Sequence, residues 1–236
     1  MELQAAIAKI DRYSSVEQGD KVEIIERPHG GISIIMAEGK LCGRRSRTIA
    51  IKTVHSILNL IASGIHDGAA SRTVLTSINE LHQGKASVNL AIISCDLESQ
   101  SIIITKNSTT PVLTVHDGKV DYLRFDGTLN ATPAFTSSVF QFEIEAGRDF
   151  ILVSDGILQA GNQSMQSLDL KVSVESLFEE DIPTVQSIAD SILSQAISLD
   201  LGRPRDDMTV TVFRISPTPS SNIRRECVSF PIFDIN

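Results

Sequence analysis

The sequence predicts an α+β fold, a helix-covered antiparallel β-sandwich in four layers, α-β-β-α. Three observations carry this expectation. Strand-like and helix-like runs fall in separate blocks, in the order strands, helices, strands, helix, strand, rather than alternating as βαβ units. The helical runs repeat apolar residues every three or four positions, which gives each one apolar face to be covered. The strand-like runs are short and are broken by turn residues.

From Lys21 the chain alternates, turns at Pro28-His29-Gly30-Gly31 and resumes as Ile32 to Met36, a β-hairpin. A polar stretch from Glu38 to Arg47 follows. Apolar residues at Ile49, Val54, Ile57, Leu58, Ile61 and Ile65, then at Val74, Leu75, Ile78 and Leu81, with Gly64 and Gly68 between, predict two amphipathic helices. Six strands are expected next, at Val88–Cys95, Ser101–Thr105, Pro111–Val115, Lys119–Phe125, Val139–Ile144 and Phe150–Ser154. Pro183 can open a helix carrying Val185, Ile188, Ile192, Leu193 and Ala196, Gly202 can close it, and Met208–Ile215 reads as the last strand.

With 236 residues, 42% of them hydrophobic and 21% charged, the chain has enough apolar side chains for one large core and lies far from the composition of disorder. The expected division is a domain over residues 1–216 and a linker and tail over 217–236. Ser216 to Ser221 turns to Ser, Thr and Pro, and the apolar run Val228 to Phe233 is expected to dock on the domain or on a partner. No apolar run approaches the roughly 18 residues of a membrane span, and Met1 to Ile10 lacks a basic start with an apolar core, so the expected location is cytoplasmic, without a membrane partner. The net charge of −8 opposes binding to nucleic acid. Cys42, Cys95 and Cys227 have no CxxC spacing and suggest neither a disulfide framework nor a zinc site.

Walker, GxGxxG, GxSxG and HExxH motifs are absent from the sequence. Four acidic positions at strand ends stand out instead. Asp20 follows Gly19 at the mouth of the first strand, and Glu38 precedes Gly39 just after the second. Asp155 precedes Gly156 at the end of Phe150 to Ser154, and Asp206-Asp207 precedes the final strand. Each alone is an ordinary turn dipeptide. Converging at the rim of a core, such carboxylates would suit a hard divalent cation, magnesium or manganese.

Taken in order, these segments resemble the metal-dependent protein phosphatase (PPM) family, in its SpoIIE-like bacterial branch. The residues that carry the resemblance are Gly19-Asp20, Ala37-Glu38-Gly39, Asn107-Ser108-Thr109-Thr110-Pro111, Gly147-Arg148-Asp149-Phe150, Val153-Ser154-Asp155-Gly156-Ile157 and Asp206-Asp207-Met208-Thr209-Val210. The resemblance implies that Asp155 and Asp206 bind one of two manganese or magnesium ions, that Glu38 stands in the bridging position, that the Gly39 carbonyl completes the other ion's protein contacts, and that Asp20 acts mainly through water. It also implies hydrolysis of phosphoserine or phosphothreonine on a regulatory protein, such as an anti-sigma-factor antagonist, by metal-activated water.

The chain departs from the family pattern at Glu38, one methylene longer than the family's aspartate, at Leu41 in place of a glycine, and at Thr110 in place of a histidine. Those departures favour the alternative reading, a weak or inactive phosphatase-like module that binds a phosphoprotein. Arg44, Arg45 and Arg47, at the expected helix start just after Glu38-Gly39, read either as a solvated face or as ligands for a substrate phosphate, with Arg44 and Arg45 the chosen candidates. His29, His55, His66, His82 and His116 have no ligand spacing and are read as structural.

Overall fold

Strands β1 (Glu2–Ile10), β2 (Asp20–Glu26), β3 (Gly31–Leu41), the two-residue β4 (Arg44–Arg45), β5 (Ala86–Asp96), β6 (Ser101–Lys106), β7 (Val112–His116), β8 (Lys119–Tyr122), β9 (Ser138–Glu143), β10 (Arg148–Val153) and β11 (Met208–Ser216) form two antiparallel sheets. This computed structural model describes residues 1–13, 19–123, 137–179, 181–217, 223–229 and 231. One sheet has the order β1-β11-β10-β7-β8, and the other β2-β3-β5-β6-β9 with β4 on the end of β3. Helices α1 (Arg47–Ala62) and α2 (Asp67–Leu81) cover the second sheet, while α4 (Leu170–Leu177) and α5 (Val185–Leu199) cover the first. A short α3 (Asp155–Gln159) follows β10 directly.

Alternation along the strands builds the layers. In β3, Ile35 and Ala37 face α1 and α2 while Ile34 and Met36 face the other sheet. In β11, Val210 and Val212 face α5 while Phe213 and Ile215 face inward. Phe150 and Phe213 are direct ladder partners, both fully buried between the sheets. Burial of such a side chain contributes roughly 1.5–3 kcal/mol relative to exposure. The four-layer expectation holds, with an apolar layer at each of the three interfaces.

Several elements differ from the sequence expectation. Strand β1 was not anticipated: Leu3, Ala5 and Ile7 face the other sheet and Ala6 and Ala8 face α5, but alanines give little strand signal. Strand β3 does not end at Met36, since its ladder with β5 continues to Leu41↔Ala86, so Glu38 and Gly39 lie inside a strand. After the strand that ends near Ser154, α3 begins at once with Asp155, and α4 follows before α5; neither short helix is expected from the sequence. Ile65 lies exposed between α1 and α2, and Gly68 sits within the first turn of α2. Thr184, not Pro183, caps α5, its hydroxyl accepting the Ser187 N–H at 3.1 Å.

The strand expected at Lys119–Phe125 is found only to Tyr122, and residues 124–136 lie outside the described residues. The same is true of most of the expected linker, at 218–222, and of the apolar end at 230 and 232–236. Within the described part of the tail, Arg224 pairs with Glu26 at 3.0 Å, and Val228 is exposed. No helix among the described residues is long and apolar enough to cross a membrane.

Candidate metal centre

Asp20, Glu38 and Asn89 are ladder partners across β2, β3 and β5, so their side chains emerge on one face. Glu38 shares that face with Ile34 and Met36, which places the row at one end of the layer between the sheets. From the opposite sheet, Asp155 enters as the first residue of α3 and Asp206 from the loop before β11. All four acidic residues anticipated from the sequence therefore meet, and pairing register rather than sequence proximity brings them together.

Arg45 lies at their centre. Its Nη1 donates to Asp20 Oδ1 at 3.1 Å, and its Nη2 donates to Asp155 Oδ1 at 2.6 Å and also to Asp206 Oδ2. Lys40 Nζ stands 3.6 Å from Asp155 Oδ2. Asp20 Oδ2 accepts the Thr209 hydroxyl at 3.0 Å. Both Glu38 oxygens have protein donors: Oε1 accepts the Asp155 N–H at 2.9 Å and Oε2 the Asn89 side-chain amide at 3.0 Å. The added methylene thus spans to the first N–H of α3, and Glu38 holds Asp155 in place. Arg44, the neighbour of Arg45 in β4, is exposed and takes no part in this cluster.

Two close backbone approaches fix the frame. A Cβ on Gly39 would lie 2.5 Å from Ala50 N and from Ser46 O, because the start of α1 rests on β3 at this point. The Gly39 carbonyl accepts the Ser46 N–H at 2.7 Å, and the Gly39 N–H donates to Gly19 O at 3.1 Å. A Cβ on Gly156 would lie 2.1 Å from the Asp207 carbonyl oxygen, so α3 and the Asp206-Asp207 loop touch through backbone. Gly39→Ala is therefore expected to destabilise the fold by about 1–3 kcal/mol, as overpacking against backbone does. A urea midpoint unchanged from the parent would show that α1 is not seated on Gly39.

Charge is unbalanced here. Burial pushes Asp20 up to about 8, with Glu38 adding to the rise and Arg45 opposing it. Burial raises Glu38 to about 6, with Asp155 the next cause. Asp206 is also raised by burial, against the pull of Arg45. Burial opposes the charge on Arg45, but Asp155, Asp206 and Asp20 outweigh it and hold the guanidinium protonated. Several carboxylates thus share one guanidinium and a more distant ammonium.

The donor chemistry, carboxylate oxygens of aspartates, suits a hard divalent cation, while with Arg45 between them no three acidic side chains among the described residues stand around one point. Asp155 and Asp206 each place an oxygen against the same nitrogen, Nη2, so one ion-sized point is within reach of both, and Asp20 borders the adjacent nitrogen. Glu38, whose two oxygens accept the Asp155 N–H and the Asn89 amide, is placed to orient Asp155.

Sequence reasoning assigned no role to Asp207, Asn89, Thr209 or Lys106. Asp207 is buried and its carboxylate accepts the N–H of Arg12 at 2.9 Å, of Gly19, and of Asp20 at 3.1 Å, tying the segment before β2 to the start of β11. Its place beside Asp206 was visible, but the acidic pair gave no sign that one faces the site and the other the backbone. Lys106 is buried, its pKa is brought down to about 8 by that burial, and its ammonium donates to the Thr110 carbonyl. With Ser108 and Thr110 it lines a narrow cleft that reaches Glu38 and Asn89. Asn107 clamps this loop to β5, its Oδ1 accepting the Leu90 N–H at 2.7 Å and its Nδ2 donating to Val88 O at 2.8 Å.

Comparison with known proteins follows the same outline. The family model described as stage II sporulation protein E (SpoIIE) matches residues 43–216, a span that holds Arg45, Asp155 and Asp206. Stage II sporulation protein E of Priestia megaterium is 22% identical over 216 residues, 90% of this chain and 36% of that protein. The chain thus spans about a third of the length of that curated relative. Among solved structures, the PP2C phosphatase domain of SpoIIE from Bacillus subtilis, with a fragment of its regulatory domain, superposes with TM-score 0.70 at 24% identity. That match covers 91% of this chain and 64% of the other. The catalytic domain of the serine/threonine protein phosphatase PstP, in complex with 2 manganese ions, superposes with TM-score 0.65 at 16% identity over 91% of this chain and 98% of that one. At these identities the structural likeness speaks for the fold.

Proposed function

This chain belongs to the SpoIIE family of PP2C-like phosphatases, and from that premise we propose that it hydrolyses phosphoserine or phosphothreonine on a regulatory protein with the help of divalent metal. The observation that carries the reading is the convergence of Asp155, from the start of α3, and Asp206, from the loop before β11, on a single cationic point bordered by Asp20 of the other sheet.

Asp155, Asp206 and Asp20 would hold the metal, with Gly39 contributing its carbonyl as the resemblance implies. Bound magnesium or manganese would lower the pKa of a water and neutralise phosphoryl oxygens during in-line attack. The chain's own residues supply placement. Glu38 fixes Asp155 through the first N–H of α3, and the Thr209 hydroxyl fixes Asp20. Ser154 joins β10 to β11 at the site, its N–H donating to Thr209 O at 2.9 Å and its hydroxyl accepting the Thr209 N–H at 2.9 Å. Such bracing matters because misplacement of about 1 Å can cost a hundredfold in rate.

The test is hydrolysis of p-nitrophenyl phosphate and of a phosphoserine peptide. Activity is expected with Mn2+, lost in EDTA and recovered with excess Mn2+. A rate indifferent to chelator would overturn the metal-dependent reading. The commitment of both Glu38 oxygens to protein donors favours one second reading, a module that binds a phosphoprotein without turnover. It is expected to retain a phosphopeptide while releasing no phosphate.

A further inference from the structure

We propose that Arg45 is a built-in competitor of the metal: its guanidinium holds the point on which Asp155 and Asp206 converge and which Asp20 borders, and a divalent ion binds there only when this side chain withdraws. The inference rests on the reading of these carboxylates as metal ligands and adds the residue that sets their affinity.

Geometry makes the two occupants exclusive. Asp155 and Asp206 both meet the same nitrogen of Arg45, and Asp20 meets the other terminal nitrogen. An ion in direct contact with Asp155 and Asp206 needs the space that Nη2 fills. The aliphatic stem is guided there from β4, packing so closely on Gly19 that a Cβ at that position would lie 2.8 Å from Arg45 Cδ.

The side chain is also placed to leave. Strand β4 is two residues long and, among the described residues, pairs only with the end of β3, after the exposed turn Cys42-Gly43, where a Cβ on Gly43 would meet nothing within 4 Å. Moving Arg45 therefore disturbs one short edge rather than the core. Charge favours the exchange at sufficient metal concentration, since the guanidinium brings one positive charge to several carboxylates and a divalent ion brings two on a smaller radius.

The consequence is a threshold. A site whose competent form is populated only in part binds with an affinity reduced by that fraction. Removing the competitor should tighten Mn2+ binding, and keeping a charge that cannot span all the carboxylates should give an intermediate value.

Isothermal titration of the full chain with Mn2+ compares the parent with Arg45→Gln and Arg45→Lys. The glutamine variant is expected to bind at least about tenfold tighter, with the lysine variant between, and to melt lower than the parent in EDTA because its carboxylates have lost their common cation. In the parent, the Arg45 Nε–Hε resonance, assigned by its loss in Arg45→Lys, is expected to shift on titration with Mg2+. Parent and Arg45→Gln binding Mn2+ equally, or the variant binding more weakly, would overturn the proposal while leaving the metal-dependent reading in place. Failure of both to bind Mn2+ would overturn the two together. Should Arg45→Gln not fold, an Arg45 resonance unmoved at saturating Mg2+ overturns the competition by itself.

Discussion

Asp155→Asn and Asp206→Asn should each lower the Mn2+-dependent rate at least about a hundredfold, the usual loss when one preorganised charged contact to a developing charge is removed. Both carboxylates sit against one nitrogen of Arg45, so they define a single point, and losing either leaves that point with half of its negative charge. Asparagine keeps the size and one oxygen acceptor, which limits the disturbance to charge. Folding should survive, because the frame around the site is held by backbone contacts of Gly39, Gly156 and Ser154 rather than by these side chains. The comparison variant is Asp190→Asn, whose carboxylate accepts from Gln186 on the exposed face of α5 and should leave the rate unchanged. Steady-state kinetics with circular dichroism on each variant decides it. More than about a tenth of the parent rate in both would show that the convergent carboxylates do not carry the chemistry.

Asp207→Ala should cost about 4 kcal/mol of stability, because buried backbone donors left without acceptors cost roughly 1–3 kcal/mol each. The Asp207 carboxylate serves the N–H groups of Arg12, Gly19 and Asp20, and Asp207 itself is only 2% exposed. Alanine removes the acceptor that all three N–H groups share. The loss is expected in the urea midpoint with the slope unchanged, and Asp20, whose own N–H is one of the three, should lose its placement as well. A fall below about 1 kcal/mol would show that those donors find other partners.

Much of the site was legible because the residues that carry it are set by local rules. A buried apolar strand ending in Asp-Gly, and Asp-Asp directly before an alternating strand, announce carboxylates at strand ends, and the structure brings Asp20, Glu38, Asp155 and Asp206 together. The helices over Ile49–Ile61, Val74–Leu81 and Val185–Ala196 followed from apolar spacing, since a one-faced helix must cover a sheet.

What each polar residue does was decided only in three dimensions. Glu38 read as a position just past a strand, but the ladder of β3 with β5 runs on to Leu41 and turns its carboxylate toward Asn89 and the start of α3. Arg44 and Arg45 were equal candidates in sequence; adjacent residues of a strand point to opposite faces, so Arg45 reaches the carboxylates while Arg44 stays exposed. Asp206 and Asp207 divide in the same manner, one toward the cation and the other onto backbone donors 187 and more residues away in the chain. Sequence alone determined which chemical groups this protein owns and which elements carry them. Strand register and the stacking of two sheets determined which groups meet, because a shift of one residue along a ladder moves a side chain to the other face and no local pattern records its partner across the sandwich.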